Sequence, residues 1–257
     1  MTNIVKSDIY RFAKSKLFYG VMLLTIVIAF FLSMLIRQDI RLGISVFGNL
    51  MAFRSVDDVI RVGLAYYNGL GLFVAALLSI FIGQEYQWKT WQHKWITNRS
   101  RARIFISKFI LSTAISAAIF LVFQVIVLLG SNQLSSILTT EYIAMIIGGV
   151  AVYAALGAVI CLIAMLTKNS TASVIVCIGF VLLSETIASM LGSIGNVSEV
   201  AASVVGWLVR YSIYGMVIVL SSAAVTWATA IGIVINAFVI MLVSAVIGVL
   251  VFRRYEL

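Results

Sequence analysis

Proline is absent from this chain, histidine occurs once, and there are only two cysteines. Each shortage excludes something. Without proline, any break in a helix has to come from glycine or polar residues. One histidine and no cysteine cluster leave a zinc site without ligands. Cys161 and Cys177 both fall inside apolar runs, where they read as buried thiols rather than a disulfide framework. Charge is scarce too: Asp, Glu, Lys and Arg make up 11% of 257 residues, against 63% hydrophobic. Soluble domains carry roughly 25% charged and 45–50% apolar residues. So apolar a chain of this size needs lipid as solvent, and it reads as an all-α, polytopic membrane protein.

What it has instead is long apolar runs. Six are candidates for spans: Leu17–Ile36, Val62–Ile82, Phe109–Leu129, Tyr142–Leu166, Ala172–Leu191 and Ile231–Phe252. At 1.5 Å per residue, about twenty residues cross a hydrocarbon core of roughly 30 Å. The first run is too long for a signal-peptide core and lacks a small-residue cleavage site, so it is expected to be a retained span. Residues 204–227 are also apolar, but Arg210 lies among them with Gly206, Gly215 and Ser221–Ser222. An arginine in mid-membrane costs at least ~2.5–3.5 kcal/mol. The expectation there is an outer helical hairpin over about 200–228, re-entrant or interfacial, between spans five and six.

Charge sets the direction. With both termini in the cytoplasm, 13 of the 18 Lys/Arg fall on inner segments, and Arg37, Arg41, Arg54, Arg61 and Arg210 fall outside. That is the positive-inside bias, and the expected location is the cytoplasmic membrane. The outer segment Arg37–Arg61, with Asp39, Asp57 and Asp58 among its arginines, is expected to fold or lie on the surface. In the first sixteen residues, Val5, Ile9, Phe12, Ala13 and Lys16 share one side of a helix, with Lys6, Asp8 and Arg11 away from it. This predicts an N-terminal interfacial helix on the inner leaflet, its cations favouring anionic lipid headgroups.

The inner loop GQEYQWKTWQHKWITNRSRARIFISKF, residues 83–109, is the most unusual stretch. Helix formers continue without a breaker over about 84–98. Trp88, Trp91 and Trp95 recur at i, i+3 and i+7, which puts three indoles on one face. Asn98 and Ser100 then offer a stop and a new cap. Such a stripe fits either an interfacial belt or a docking helix, since Trp and Arg anchor protein interfaces. Glu85, a carboxylate at the membrane boundary, is expected to pair with a nearby Arg or Lys.

Glu85-Tyr86-Gln87-Trp88-Lys89-Thr90, then Ser100-Arg101 and Lys108 before a new span, resembles the signature of type-2 ABC transporter permeases. There an E-x-x-x-G-T stretch is followed by Ser-Arg and a lysine opening the third span. The chain departs from it at Lys89, where the family usually has Gly, and at Asn98, near a common Pro. The resemblance implies that this segment is a coupling helix seated in a separate ATPase subunit, with Glu85, Trp88, Thr90, Trp91, Trp95 and Arg101 as its coupling residues. It also implies six spans, an N-terminal interfacial helix and a hairpin between spans five and six.

No G-x-x-x-x-G-K-[ST] loop occurs, so the chain is expected to be no enzyme: it binds no cofactor of its own, and ATP and Mg belong to the partner ATPase. A second permease half, identical or homologous, is expected beside it. Membrane lipids complete the partners, with no nucleic acid among them. Small residues recur every four positions, as in Gly71, Ala75, Ser79 and Gly83, and suit packing inside one bundle or a dimer seam. Two polar residues inside spans stand out, Glu185 and Asn236. Glu185 has three readings: pairing with Arg210, lining the substrate path, or carrying protons. The expected function is the permease of an ATP-driven exporter moving amphipathic or hydrophobic cargo, peptides foremost. The alternative is a stand-alone secondary transporter or channel using Glu185. An intramembrane enzyme lacks any catalytic constellation.

Overall fold

The computed structural model describes residues 2–37, 43–46, 49–52, 55–88, 90, 101–131, 137–194, 199–221 and 225–254. Its helices are α1 (Thr2–Ala13), α2 (Lys16–Arg37), α3 (Val56–Leu64), α4 (Leu70–Gln87), α5 (Arg101–Ser131), α6 (Thr140–Thr167), α7 (Ser170–Ile194), α8 (Glu199–Tyr211), α9 (Ile213–Leu220) and α10 (Trp227–Arg254). One two-stranded antiparallel hairpin, β1 (Gly43–Val46) with β2 (Asn49–Ala52), lies between α2 and α3, pairing Gly43 with Ala52 and Val46 with Asn49. Among the described residues, six helices are long and apolar enough to cross a membrane: α2, α4, α5, α6, α7 and α10. Among the described residues the fold is an all-helical six-span bundle apart from that one hairpin.

The helix α6 is the hub, packing on α5, α10, α4, α7 and α9. Small residues make this possible. A Cβ at Gly157 would come 2.6 Å from the Ser112 carbonyl oxygen, so only glycine lets α6 lie this close to α5. The stripe Gly71, Ala75, Ser79, Gly83 is likewise buried inside the chain: a Cβ on Gly83 would lie 2.7 Å from the Cα of Ser170, where α7 begins. In the second span, then, the small residues serve packing within one bundle. Cys161 and Cys177 are buried and unbridged.

The second span starts later than the apolar run suggests. Ser55 caps α3 in a reciprocal box with Asp58: Asp58 N donates to Ser55 Oγ at 3.3 Å, and Ser55 N to Asp58 Oδ2 at 2.9 Å. This short helix ends at Leu64, a 3-10 turn follows at Tyr66–Asn68, and α4 begins at Leu70. The hinge is Gly69, whose φ of 143° is open to glycine and strained for other residues. The expected span from Val62 to Ile82 is therefore replaced by Leu70–Gln87, about 27 Å of helix at 1.5 Å per residue.

Over the stretch where the hairpin is expected, α8 and α9 are bent by 77° with Ser212 between them. Ser212 Oγ accepts from Gly215 N at 3.1 Å and donates to Val209 O at 2.7 Å, stopping one helix and capping the next. Thirteen and eight residues span about 20 and 12 Å, and with that bend neither helix crosses a 30 Å core.

Candidate functional site

Four charged side chains meet where α1, the end of α4 and the start of α5 converge. On α1, Asp8 and Phe12 are one turn apart and both point inward, 0% and 4% exposed. On α4, Phe81 and Glu85 repeat that spacing, with Glu85 1% exposed. From α5 come Ser107 and Lys108, both fully buried. Lys108 Nζ lies 2.9 Å from Asp8 Oδ1 and 2.5 Å from Glu85 Oε1. Arg11 Nη1 reaches the same Glu85 oxygen at 2.5 Å, and its Nη2 donates to the Phe81 carbonyl at 2.8 Å. Ser107 Oγ donates to Asp8 Oδ2 at 2.9 Å.

Two carboxylates thus face two cations, and the knot is neutral. Phe81 walls it: the Arg11 guanidinium lies 4.2 Å and the Lys108 ammonium 4.6 Å from the ring centroid, a cation–π arrangement. Phe12 packs edge-on to Phe81 at 4.8 Å and against Phe18 at 4.6 Å. Removing charges from water is costly, and only close geometry with several hydrogen bonds per group offsets it. Both carboxylates have such geometry here. The end of α4 is anchored on its other side by Tyr86, whose hydroxyl donates to the Met165 carbonyl of α6 at 3.3 Å.

Glu85, expected to find a basic partner, finds two. Trp88 ends α4 with its indole 64% exposed, and the Thr90 hydroxyl donates to the Glu85 carbonyl at 3.3 Å. Trp91, Trp95 and most of the expected helix over 84–98 lie outside the described residues. Arg101 opens α5, and its side chain also lies outside them.

Asp8 and Arg11 are the residues that sequence reasoning misplaced. The charges were expected to lie away from the apolar stripe, yet Asp8 and Arg11 turn to the protein together with Phe12 of that stripe, while Lys6, Ile9 and Tyr10 are exposed, the last two at 49% and 61%. In lipid the usual polarity inverts: apolar groups need no protein cover and buried charges do. One signal was available, since Asp8 is the sole acid in residues 1–38.

At the other end of the bundle, Glu185 of α7 lies near Tyr67 and Tyr214. Burial, then the Tyr214 and Glu185 charges, push the Tyr67 phenol up to about 12. Burial and Glu185 also raise Tyr214. Tyr66 is held at about 12 by burial. Their rings are linked, Tyr66 to Tyr67 at 5.6 Å and Tyr67 to Tyr214 at 5.3 Å. Tyr66, Tyr214, Ser184 and Phe180 line an apolar cavity of about 170 Å³. Arg210 is exposed in the last turn of α8, and the described ion pairs do not join it to Glu185. Asn236 of α10 donates to the Tyr211 carbonyl at 3.0 Å, supplying the partner lost at the hairpin bend.

The family model described as ABC-2 family transporter protein matches residues 4–184. The chain belongs to the ABC-2 transporter family. No curated protein is significantly similar to it. The ABC-2 match runs from α1 into α7 and contains all four residues of the knot, while α8, α9 and α10 lie beyond it. As an ABC-2 member the chain is a multi-pass membrane permease subunit of an ABC transporter. Such subunits generally carry no ATPase site of their own; membership implies an ABC ATPase partner and usually a paired permease.

Proposed function

We propose that this permease drives export by receiving ATPase motion through the segment after α4, with both termini in the cytoplasm. The observation that carries the reading is the charge knot. Glu85 precedes that segment and Lys108 follows it, and the two are ion-paired while Asp8 and Arg11 tie α1 to the same point. A push on Trp88, Thr90, Trp91 or Trp95 would then reach α1, α4 and α5 as one body, with Arg101 at the far boundary. Tilting α4 and α5 against α6 would switch access to a pathway between two permease halves, this chain and a copy or homologue. Spans this poor in charge suit amphipathic or hydrophobic cargo, and peptides are the first choice.

The test is purification from native membranes in mild detergent. The expected result is an ATPase that accompanies the wild type and is lost or uncoupled by Trp91→Ala and by Glu85→Ala. A chain that emerges alone, with transport driven by a proton gradient and abolished in Glu185→Gln, would instead establish a stand-alone secondary transporter.

A further inference from the structure

We infer that the outward face of α1 binds acidic phospholipid headgroups, and that the Asp8–Lys108–Glu85 pairing carries this binding into the segment between α4 and α5. The inference needs no ATPase, so it can fail or stand separately from the exporter reading.

The outward face combines two properties that neither water nor hydrocarbon satisfies alone. Ile9 and Tyr10 are 49% and 61% exposed, and Ala13 is exposed beside them. Lys6, Lys14 and Lys16 are exposed as well, with Lys14 Nζ 4.7 Å from the centroid of the Tyr10 ring. Around the helix this face runs from apolar Ile9 and Ala13, through Lys6 and Tyr10, to Lys14 and Ser7. Such a gradient is that of a helix lying in the headgroup plane. The one acid of the segment, Asp8, is turned inward to Lys108 and Ser107, so the outward cations face no carboxylate of their own helix. The depth is fixed by α2, which starts at Lys16 and exposes Tyr19 and Leu23 where lipid would lie. Acidic headgroups are the occupant that complements this charge.

Transmission follows from the opposite face. Asp8 lies two residues from Lys6 and Tyr10, and it is fully buried. Its two oxygens are held by Ser107 and Lys108, and Lys108 holds Glu85. A lipid that fixes the tilt of α1 therefore fixes both boundaries of the following segment. Because linkage is reciprocal, movement of that segment changes lipid affinity equally.

The full chain in dodecyl maltoside micelles, with dioleoyl phosphatidylglycerol or dioleoyl phosphatidylcholine added, tests both halves. Native mass spectrometry reads lipid binding, and hydrogen–deuterium exchange reads peptides covering 84–108. Phosphatidylglycerol, not phosphatidylcholine, is expected to slow exchange there. Lys6→Gln with Lys14→Gln should weaken phosphatidylglycerol binding on the order of tenfold and abolish the slowing, while Lys6→Arg with Lys14→Arg keeps both. Asp8→Asn should keep the binding and lose the slowing. Equal effects of the two lipids, or full binding in the glutamine pair, would overturn the headgroup site. Slowing that persists in Asp8→Asn would overturn the transmission.

Discussion

The two ends of this bundle hold their helices together by different chemistry. At the end where α1, α4 and α5 converge, side chains pair with side chains: Asp8, Arg11, Glu85 and Lys108 join three helices through ions. At the opposite end, side chains repair backbone. Gln124 donates to the Ile60 carbonyl at 3.1 Å, Tyr153 to Gly63 O at 2.6 Å, Asn236 to Tyr211 O at 3.0 Å, and Arg61 to Ser221 O. The Gly63, Tyr211 and Ser221 carbonyls sit where a helix ends or bends, and a carbonyl without a partner in a membrane costs several kcal/mol. This end can afford short, broken helices because donors from intact spans, and Arg61 of α3, reach them. Its contacts are separable and its losses graded. The ionic end is cooperative, because removing one ion leaves its partners charged and buried.

The comparison breaks first, if it breaks, at Lys108. Lys108→Met takes from buried Asp8 and Glu85 the cation they share and leaves Arg11 on Glu85, a loss of roughly 3–5 kcal/mol for a broken buried pair. Thermal unfolding in detergent should show it as the largest drop in the set. Adding Asp8→Asn to Lys108→Met should recover part of that loss, since fewer unpaired charges remain. A single-variant cost below about 1 kcal/mol would mean that water reaches the knot as it does a surface pair, and the two ends would no longer differ in kind.

A smaller effect is expected at the bend between α8 and α9. A Cβ on Gly215 would meet the Arg210 carbonyl oxygen at 2.7 Å and Val209 O more closely still. Both are backbone atoms and cannot swing aside. Gly215→Ala should cost about 1–3 kcal/mol, as overpacking does. Because the damage is local, hydrogen exchange should rise over 199–221 and stay unchanged over 84–108. Faster exchange at both ends would show the hairpin and the knot to be one cooperative unit.

The six spans were legible because lipid imposes a long apolar run on each, and Glu85 because an acid beside a membrane needs a cation. What escaped is instructive. The pairing of Asp8 with Lys108 crosses a hundred positions, and the helical stripe alone does not say whether the apolar or the charged side faces protein. The Gly69 hinge was hidden inside a continuous hydrophobic run, although Asn68-Gly69 is a turn dipeptide. The backbone repairs join residues 64, 90 and 160 positions apart, and nothing local marks Gln124 or Tyr153 as donors to a distant carbonyl.

The subtlest prediction concerns the tyrosines Tyr66, Tyr67 and Tyr214. Burial first, and neighbouring charge second, raise Tyr67 to about 12. A phenol whose folded value lies above its unfolded value of about 10 favours the fold fully below pH 10. That contribution is lost as pH rises from 10 through 12, because the unfolded chain releases the proton earlier. Thermal stability should therefore fall across that window, and Tyr67→Phe should flatten the fall. Glu185→Gln removes one of the charges that raise Tyr67 and Tyr214, so phenolate absorbance should appear at lower pH than in the wild type. An unchanged titration would mean that Glu185 does not act on these rings as a charge, leaving burial and the neighbouring tyrosines to hold the cluster neutral.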